Sequence, residues 1–568
     1  MIKKHQEVTG FVEKVLFPNV GIVDVCDNDD HIKVRVKDVL KGQRIRLYIT
    51  RKKNERYEGR LIEVMEPSVA ETVSDPCCHY PQCGGCLYQT VDYDTQLKWK
   101  QEQIEQLLAP VIGQDIYNSA YEGIARSPYT RGYRNKMELT FGDSKKGGQL
   151  ALGMHKRGAF YDILSTTECR LMDEDMRNIQ RLTLEYFKDK DIPYYHKRSH
   201  TGYLRHLLIR KAHTTGQILI DLVTSTQNAS FNDRISEECL LKEWMNTILS
   251  SDYEGVITGV LHTVNDRLAD IIEDQGTSIL YGRDFFQEKL LGLTFNISPF
   301  SFFQTNSYGA EELYSLVRRW LKDEASRAGV EAFDRVFDLY SGTGTISQII
   351  SESVREATGV EIVSEAVEAA KSNASYNGIS NCSFIAGDVL KVLDDMTEPP
   401  DCIILDPPRE GINPKALTKI INYGTDYIIY ISCKATSLAR ELPTFMEHGY
   451  LVRRIAMVDL FPFTTGVETV CLLSQRKPDT TIEVDLDISE LEVSSAETKA
   501  TYEEIKSYVL EKFGLKVSNL YIAQVKRECG IVERINYNLP KTEGNRVPQC
   551  PEDKRKAIKD AFIHFQMI

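Results

Sequence analysis

The chain has 568 residues, room for three or four domains at about 150 residues each, and its 42% hydrophobic and 27% charged content is ordinary for a globular protein. No apolar run approaches the ~20 residues a membrane span needs, and Met1-Ile2-Lys3-Lys4-His5-Gln6-Glu7 carries charge with no apolar stretch behind it, so neither a span nor a secretory leader is expected. Thirteen cysteines without a leader argue against a disulfide framework and for reduced thiols, a metal centre or catalysis in a cytoplasmic protein. A net charge of −13 taken whole speaks against a nucleic-acid partner, but charge is unevenly spread. Lys33 to Arg60 holds eleven Lys/Arg against three Asp/Glu, and Asp479 to Ala500 holds seven Asp/Glu against one Lys.

Residues 1–68 read as short strands: Val8 to Val12, Val20 to Val25, His31 to Val36 and Arg44 to Ile49 are apolar or alternating at strand length. Four or five strands in about 60 residues predict a small β-barrel. The third and fourth alternate apolar with basic residues, which predicts a cationic face suited to RNA, with a merely solvated face as the plain alternative.

Cys77, Cys83 and Cys86 follow, spaced C-x5-C-x2-C with Gly84 and Gly85 letting the backbone fold back. So tight a triple signals a metal or cluster site. A fourth ligand must come from elsewhere: Cys169 is the next cysteine along the chain, and Cys78 is the local competitor. Zinc and a 4Fe–4S cluster both suit four thiolates. The C-x3-C-x2-C spacing of radical enzymes is absent.

Tyr93 to Leu108 has a helical period, and strands return at Lys136–Phe141, Leu204–Lys211 and Gln217–Val223. Arg131, Arg134, Lys136, Arg205, His206 and Arg210 cluster on this mostly β region, 69–293, and are read as a floor for RNA, with a solvated face as the plain alternative.

From 294 to 476 the pattern is βαβ. Arg335 to Leu339 is a strand leading into Tyr340-Ser341-Gly342-Thr343-Gly344 and a helix; Ala357 to Val360 is a second strand ending in Glu361, a carboxylate placed to hold a ribose. A doubly wound α/β sheet follows from this order. Nicotinamide binding competes, but the third glycine of its fingerprint is missing, since Ser347 and Gln348 occupy that region. A fourth strand, Cys402 to Leu405, ends in Asp406-Pro407-Pro408-Arg409, a rigid platform beside a flat ring. A fifth, Tyr427 to Ile431, ends in Ser432-Cys433 just before a helix expected from about Thr436. There a helix dipole and the neighbouring Lys434 are expected to favour the thiolate.

Together these residues resemble the RNA 5-methyluridine methyltransferase family, and within it the iron–sulfur 23S rRNA (uracil-C5)-methyltransferase branch, over about Val8 to Ser474. The resemblance implies a TRAM-type barrel, and a 4Fe–4S cluster rather than zinc on Cys77, Cys83, Cys86 and Cys169. It implies S-adenosylmethionine held by Gln304, Tyr340, Glu361 and Asp406. Cys433 falls on the family's nucleophile, and Glu468, in Phe461-Pro462-Phe463-Thr464-Thr465-Gly466-Val467-Glu468, on its proton acceptor. This sequence departs from the family at Lys434-Ala435, where Asn-Pro is usual, and at Phe463 and Gly466, which replace frequent histidines. The partner implied is 23S rRNA, with tRNA as the alternative and an RNA-binding assembly factor with vestigial catalysis as the non-enzyme alternative. No membrane and no disulfide-linked partner are expected, and the protein is expected to be a monomer.

The resemblance ends near Gln475. Residues 477–500 read as an acidic linker, and 501–568 as a small helical extension: Tyr502 to Phe513, Ser518 to Glu528 and a last helix after Pro551. A packing module is favoured there over a helix-turn-helix.

Overall fold

In the computed structural model, which describes residues 2–27, 30–53, 56–227, 236–269, 271–396, 398–475, 502–529, 550–565 and 567, five strands close the N-terminal barrel. They are β1 (Glu7–Leu16), β2 (Val20–Asp27), β3 (Asp30–Lys37), β4 (Arg44–Lys53) and β5 (Arg56–Glu66), in the order β1-β2-β3-β5-β4. Alternation is the cause: Val34, Val36, Ile45, Leu47 and Ile49 fill the interior, while the intervening Lys and Arg point outward. The expected cationic face is partly neutralised. Arg46 pairs with Glu63 at 3.2 Å and Arg44 with Glu66 at 3.3 Å across β4 and β5, and Lys33 meets Glu13 at 2.6 Å and Asp24 at 2.9 Å. Counting cations strand by strand misses the acids that the pairing brings opposite them.

Helices α1 (Tyr93–Ile112) and α2 (Gln114–Ala120) lead into β6 (Tyr121–Ala125). A seven-stranded sheet then forms from β7 (Lys136–Asp143), β8 (Leu150–His155), β9 (Ile163–Ser165), β10 (Leu204–Lys211), β11 (Gln217–Thr224), β12 (Val256–Val264) and β13 (Thr277–Gly282), in the order β13-β12-β11-β10-β7-β8-β9. Helices α3 (Glu174–Asp189) and α4 (Glu237–Leu249) cover it, burying Trp244 and Phe187. Strand β10 is buried along its whole length, so its basic residues are no RNA floor. Arg205 donates to the Asn265 carbonyl at 2.7 Å, and Arg210 to the Pro299 carbonyl at 2.9 Å and the Ser301 carbonyl. These guanidiniums are staples on loop carbonyls, the compensation that a buried charge requires.

A hairpin, β14 (Phe286–Leu290) and β15 (Leu293–Ile297), and helix α5 (Ser307–Arg327) precede the main sheet. Its strands are β16 (Phe333–Leu339), β17 (Val354–Glu361), β18 (Cys382–Ala386), β19 (Cys402–Leu405), β20 (Tyr427–Ser432), β21 (Tyr450–Val458) and β22 (Glu468–Gln475). Eight strands run in the order β18-β17-β16-β19-β20-β22-β21-β6, so β6 joins this sheet from outside 294–476 by pairing parallel to β21. The segment from α1 to β6 therefore packs with the main sheet rather than with the central β region to which its position in the chain assigns it. Helices α6 (Thr345–Ile350), α7 (Ser364–Tyr376), α8 (Val389–Asp395), α9 (Pro414–Asn422) and α10 (Ala435–Glu447) complete the α/β layers.

The acidic stretch 477–500 lies outside the described residues. The chain divides into two units, Met1–Lys477 and Pro478–Ile568. In the second, α11 (Tyr502–Phe513), α12 (Asn519–Glu528) and α13 (Glu552–His564) share a core of Ile505, Val509, Ile522, Val525, Ile558 and Phe562.

Helix α1 is tied to the end of β21 by a fully buried ion pair, Lys100 Nζ to Asp459 Oδ1 at 2.7 Å. Stranding one charge of a buried pair costs about 3–5 kcal/mol. Lys100→Met is therefore expected to lower the free energy of unfolding in urea by that amount, and adding Asp459→Leu to recover part of the loss.

Candidate active site

Strands β16, β17, β19 and β20 are mutually parallel, so their carboxyl ends open on one edge. The strand order reverses at β16, the crevice where open α/β sheets take ligands. Beyond β16 the chain turns sharply: Tyr340 sits in the left-handed region at φ 69°, a strained setting for a non-glycine residue. Gly344, at φ 69°, has no room for a Cβ against the Phe384 ring, whereas at Gly342 nothing lies within 4 Å of that position. The Glu361 carboxylate, at the end of β17, accepts from Gly342 N at 3.0 Å and Val363 N at 2.9 Å. Exposed Ile362 and Ile385 flank it. Asp388 caps α8 through Leu390 N at 2.9 Å.

The same crevice holds buried polar atoms without partners among the described residues: Ser341 Oγ and Asp338 Oδ1. The other Asp338 oxygen accepts from Ser347 N at 3.0 Å and Ser347 Oγ at 2.6 Å. Burial still pushes the Asp338 carboxyl up to about 7, with Glu361 adding to the rise. Gln304 is buried beside Tyr314, whose hydroxyl is pushed well up by burial and by the charges of Asp406, Glu468 and Asp338. Gln304, Asp338, Asp406 and Glu468 thus surround one tyrosine. Open glycine backbone, an apolar flank and unpaired carboxylate and hydroxyl oxygens fit a ligand with a flat ring, a ribose and a positive centre.

Cys433 and Glu468 meet through strand register. Strand β22 runs antiparallel to β20, with Ser432 opposite Thr469, so the residue after β20 and the residue that opens β22 share the edge. Burial pushes the Glu468 carboxyl up to about 8, with Asp406 raising it further and Arg409 lowering it. Burial likewise pushes Asp406 up to about 7, with Asp338 adding. The Cys433 thiol is pushed up to about 11 by burial and then by Glu468 and Asp406, against the charge and hydrogen bond of Arg409. The expected lowering by the helix end and Lys434 does not prevail. Lys434 is exposed at the start of α10, and desolvation plus two carboxylates outweigh a helix dipole.

The cation at the thiol is Arg409, a residue whose role sequence reasoning missed. Its only signal was its place directly after Asp406-Pro407-Pro408. Helix α10 holds that turn: Ser437 Oγ donates to the Arg409 carbonyl at 2.9 Å, Arg440 to the Glu410 carbonyl at 2.6 Å, and Ile412 N to Glu441 Oε1 at 3.1 Å. Gly411, at φ 83°, lies against Glu441 and Arg440 where a Cβ would collide.

The loop before Glu468 is held by the segment that carries the cysteine motif. Leu87 N and Tyr88 N both donate to the Phe463 carbonyl, at 2.9 and 3.0 Å. Phe463 N donates to Gln96 at 2.9 Å, and Tyr133 Oη to the Pro462 carbonyl at 3.0 Å. Phe463 itself sits at φ 65°. Cys77, Cys83, Cys86 and Cys169 all line one cavity of about 390 Å³, and Cys78 does not. Arg157 clasps the loop through the Pro81 carbonyl at 3.1 Å, the Cys83 carbonyl at 3.1 Å and the Cys86 carbonyl. Among the described residues no three His, Cys, Asp or Glu side chains gather closely enough for a single metal ion. Four thiols lining one cavity fit a group held by four thiolates.

Comparison with known proteins supplies the setting for this site. Residues 271–476 match the tRNA (Uracil-5-)-methyltransferase family. An uncharacterized RNA methyltransferase of Clostridium tetani is 43% identical over 479 residues, 84% of this chain and 99% of its own. Another, from Caldanaerobacter subterraneus subsp. tengcongensis, is 42% identical over 83% of this chain and 99% of its own. The crystal structure of Pyrococcus abyssi tRNA (uracil-54, C5)-methyltransferase with S-adenosyl-L-homocysteine shares the fold, at a TM-score of 0.60, 21% identity, 82% coverage of this chain and 100% of that one.

A thiol held near 11 reacts slowly at neutral pH. Iodoacetamide labelling of Cys433, followed by peptide mass spectrometry, is expected to accelerate only as pH climbs towards 11. Arg409→Met should slow it several-fold, and Glu468→Gln should speed it.

Proposed function

The chain belongs to the RNA uracil-5 methyltransferase family, and from that membership we propose that it methylates C5 of a uridine in 23S rRNA through a covalent bond from Cys433 to C6 of the base. The observation that carries this reading is the pairing of β20 with β22, which sets a thiol and a carboxyl side by side at the ligand-binding edge.

C5 of uracil is a weak nucleophile. Addition of the Cys433 sulfur to C6 turns the ring into an enolate whose electron density lies on C5. S-Adenosylmethionine, when bound, supplies the electrophilic methyl group that C5 takes up. Gln304, Tyr340, Glu361 and Asp406 are the residues proposed to hold it, and Asp338 and Ser341, with their unpartnered buried oxygens, join them. A cation entering beside Asp406 offsets the negative charge that now presses on Cys433, which brings the thiol down towards ionisation. Arg409 stabilises the resulting thiolate. After transfer C5 still carries its hydrogen. Glu468 takes that proton, the C5–C6 double bond re-forms, and Cys433 leaves as thiolate. Glu468 must be ionised to take that proton, and a cation beside Asp406, like Arg409, favours the ionised form. The base must leave its stack to reach this edge.

Cys77, Cys83, Cys86 and Cys169 are the residues proposed to hold a 4Fe–4S cluster. Their shared cavity supports a four-thiolate site, and the family resemblance favours the cluster over zinc. The cluster's role in this scheme is to fix the Cys86-Leu87-Tyr88 segment that holds the Phe463 carbonyl. The second reading, methylation of a tRNA uridine, draws on the Pyrococcus abyssi enzyme, which acts on tRNA.

Incubation with labelled S-adenosylmethionine and separate rRNA and tRNA, followed by mapping of the modified nucleotide, decides between them. Label in 23S rRNA is expected; label in tRNA alone overturns the rRNA reading. Cys433→Ala should lose both turnover and any RNA–protein adduct, whereas Glu468→Gln should accumulate a methylated adduct that survives denaturation. Rapid release of product by Glu468→Gln contradicts its assigned role. Protein purified without oxygen is expected to carry about four iron atoms per chain. Cys169→Ser should lose that iron, and Cys78→Ser should retain it.

A further inference from the structure

The turn between β8 and β9 carries two neighbouring aromatic residues that the core does not use. Phe160 is 59% exposed and Tyr161 45% exposed. They stand edge to face, with ring centres 5.2 Å apart and planes at 88°. Each is paired with a cation from the loop before β10: Lys197 Nζ lies 5.0 Å from the Phe160 ring, and the Arg198 guanidinium 4.1 Å from the Tyr161 ring. His155 stacks on Phe160 at 5.6 Å and 19°. The turn is shaped in advance, since Lys156 N donates to the Asp162 carbonyl at 2.9 Å, Ala159 N to the Lys156 carbonyl at 3.0 Å, and Gly158 takes φ 72°.

We propose that Phe160 and Tyr161, with Lys197 and Arg198, form a stacking platform for unpaired bases of the RNA substrate, separate from the site at Cys433. The inference rests on the RNA methyltransferase reading. A cation over each ring orients it, and the exposure each ring keeps is what a base can stack on. A base that stacks on the open ring brings its phosphates towards the same lysine and arginine, so aromatic and charged contacts are satisfied together. Every base has a flat face, so such a platform places a strand without reading its sequence, leaving the choice of uridine to the catalytic crevice. A lipid surface is less suited: the rings are interleaved with Lys, Arg and His rather than set in a continuous apolar patch. The platform is also tied to the cysteine loop, because Cys83 bridges to Lys156, Gly84 N donates to the His155 carbonyl at 3.0 Å, and Arg157 N to the Gln82 carbonyl at 2.7 Å.

The test uses the full chain and a fluorescent oligouridylate about ten nucleotides long. Phe160→Ala/Tyr161→Ala is expected to weaken its binding about tenfold or more, and that of a duplex RNA of equal length less than about twofold, because paired bases offer no free face. Phe160→Tyr/Tyr161→Phe should bind like the parent. Thermal melting of each variant shows that it is folded, and a variant that melts early is replaced by Arg198→Glu, expected to lose binding in the same way. Unchanged oligouridylate affinity in a folded variant overturns the platform, as does loss of binding to phosphatidylserine vesicles with RNA binding intact. Methyl transfer by the parent protein, measured alongside, separates the two readings. A parent that methylates RNA beside a variant with unaltered affinity sinks only the platform; a parent that never methylates sinks the proposed function.

Discussion

The pairing of β20 with β22 is the constraint on which the site depends. Strands β16, β17, β19 and β20 are parallel, and each delivers its carboxyl end to one edge. A further parallel strand would bring only another carboxyl end. Strand β22 reverses, so its first residue, Glu468, arrives at that edge beside Cys433, the two following from the match of Ser432 with Thr469. A one-residue slip would turn Glu468 to the other face of the sheet. The flanking strand β21 and the β6 strand beyond it cover β22, and the Lys100–Asp459 pair fastens α1 to the end of β21.

Around that pairing the electrostatics lean one way. Asp338, Asp406 and Glu468 all lie in the crevice with carboxyls pushed up by burial, and Arg409 is the cation that acts on both the thiol and Glu468. Such a crevice holds protons where water would strip them, and it favours a ligand with a positive centre. The high thiol and the crowded carboxylates are two aspects of one arrangement, because each carboxylate that suits a cation also opposes the thiolate. A positive ligand that offsets these carboxylates would therefore also lower the thiol.

Much of this was legible in the chain. The barrel, the doubly wound order and the strand-end positions of Tyr340, Glu361, Asp406 and Cys433 follow from apolar runs that end in turn residues, a local signal. The three helices of the C-terminal extension were readable from period and from the breaks at Gly514 and Pro551. The errors share one cause. The basic residues of β3 and β4 looked like an open cationic face, yet β1, β2 and β5 set glutamates and aspartates against them. Arg205 and Arg210 looked like RNA contacts, yet they lie inside and bind carbonyls of distant loops. Lys434 looked like the cation that helps the thiol, yet its side chain points to solvent, and Arg409 takes that place from another strand end.

The sequence by itself determined which residues could do chemistry and which elements carry them, because residue type, period and turn signals act over a few neighbouring positions. Only the tertiary structure decided which of them meet. It joined Cys433 to Glu468 across an antiparallel pair, brought Cys169 to the cavity of Cys77, Cys83 and Cys86, added β6 to a sheet built mostly from residues two hundred positions later, and set Leu87 and Tyr88 on the loop that leads to Glu468. Each of these contacts spans a long stretch of chain and depends on strand register and burial, and neither can be read from one segment alone.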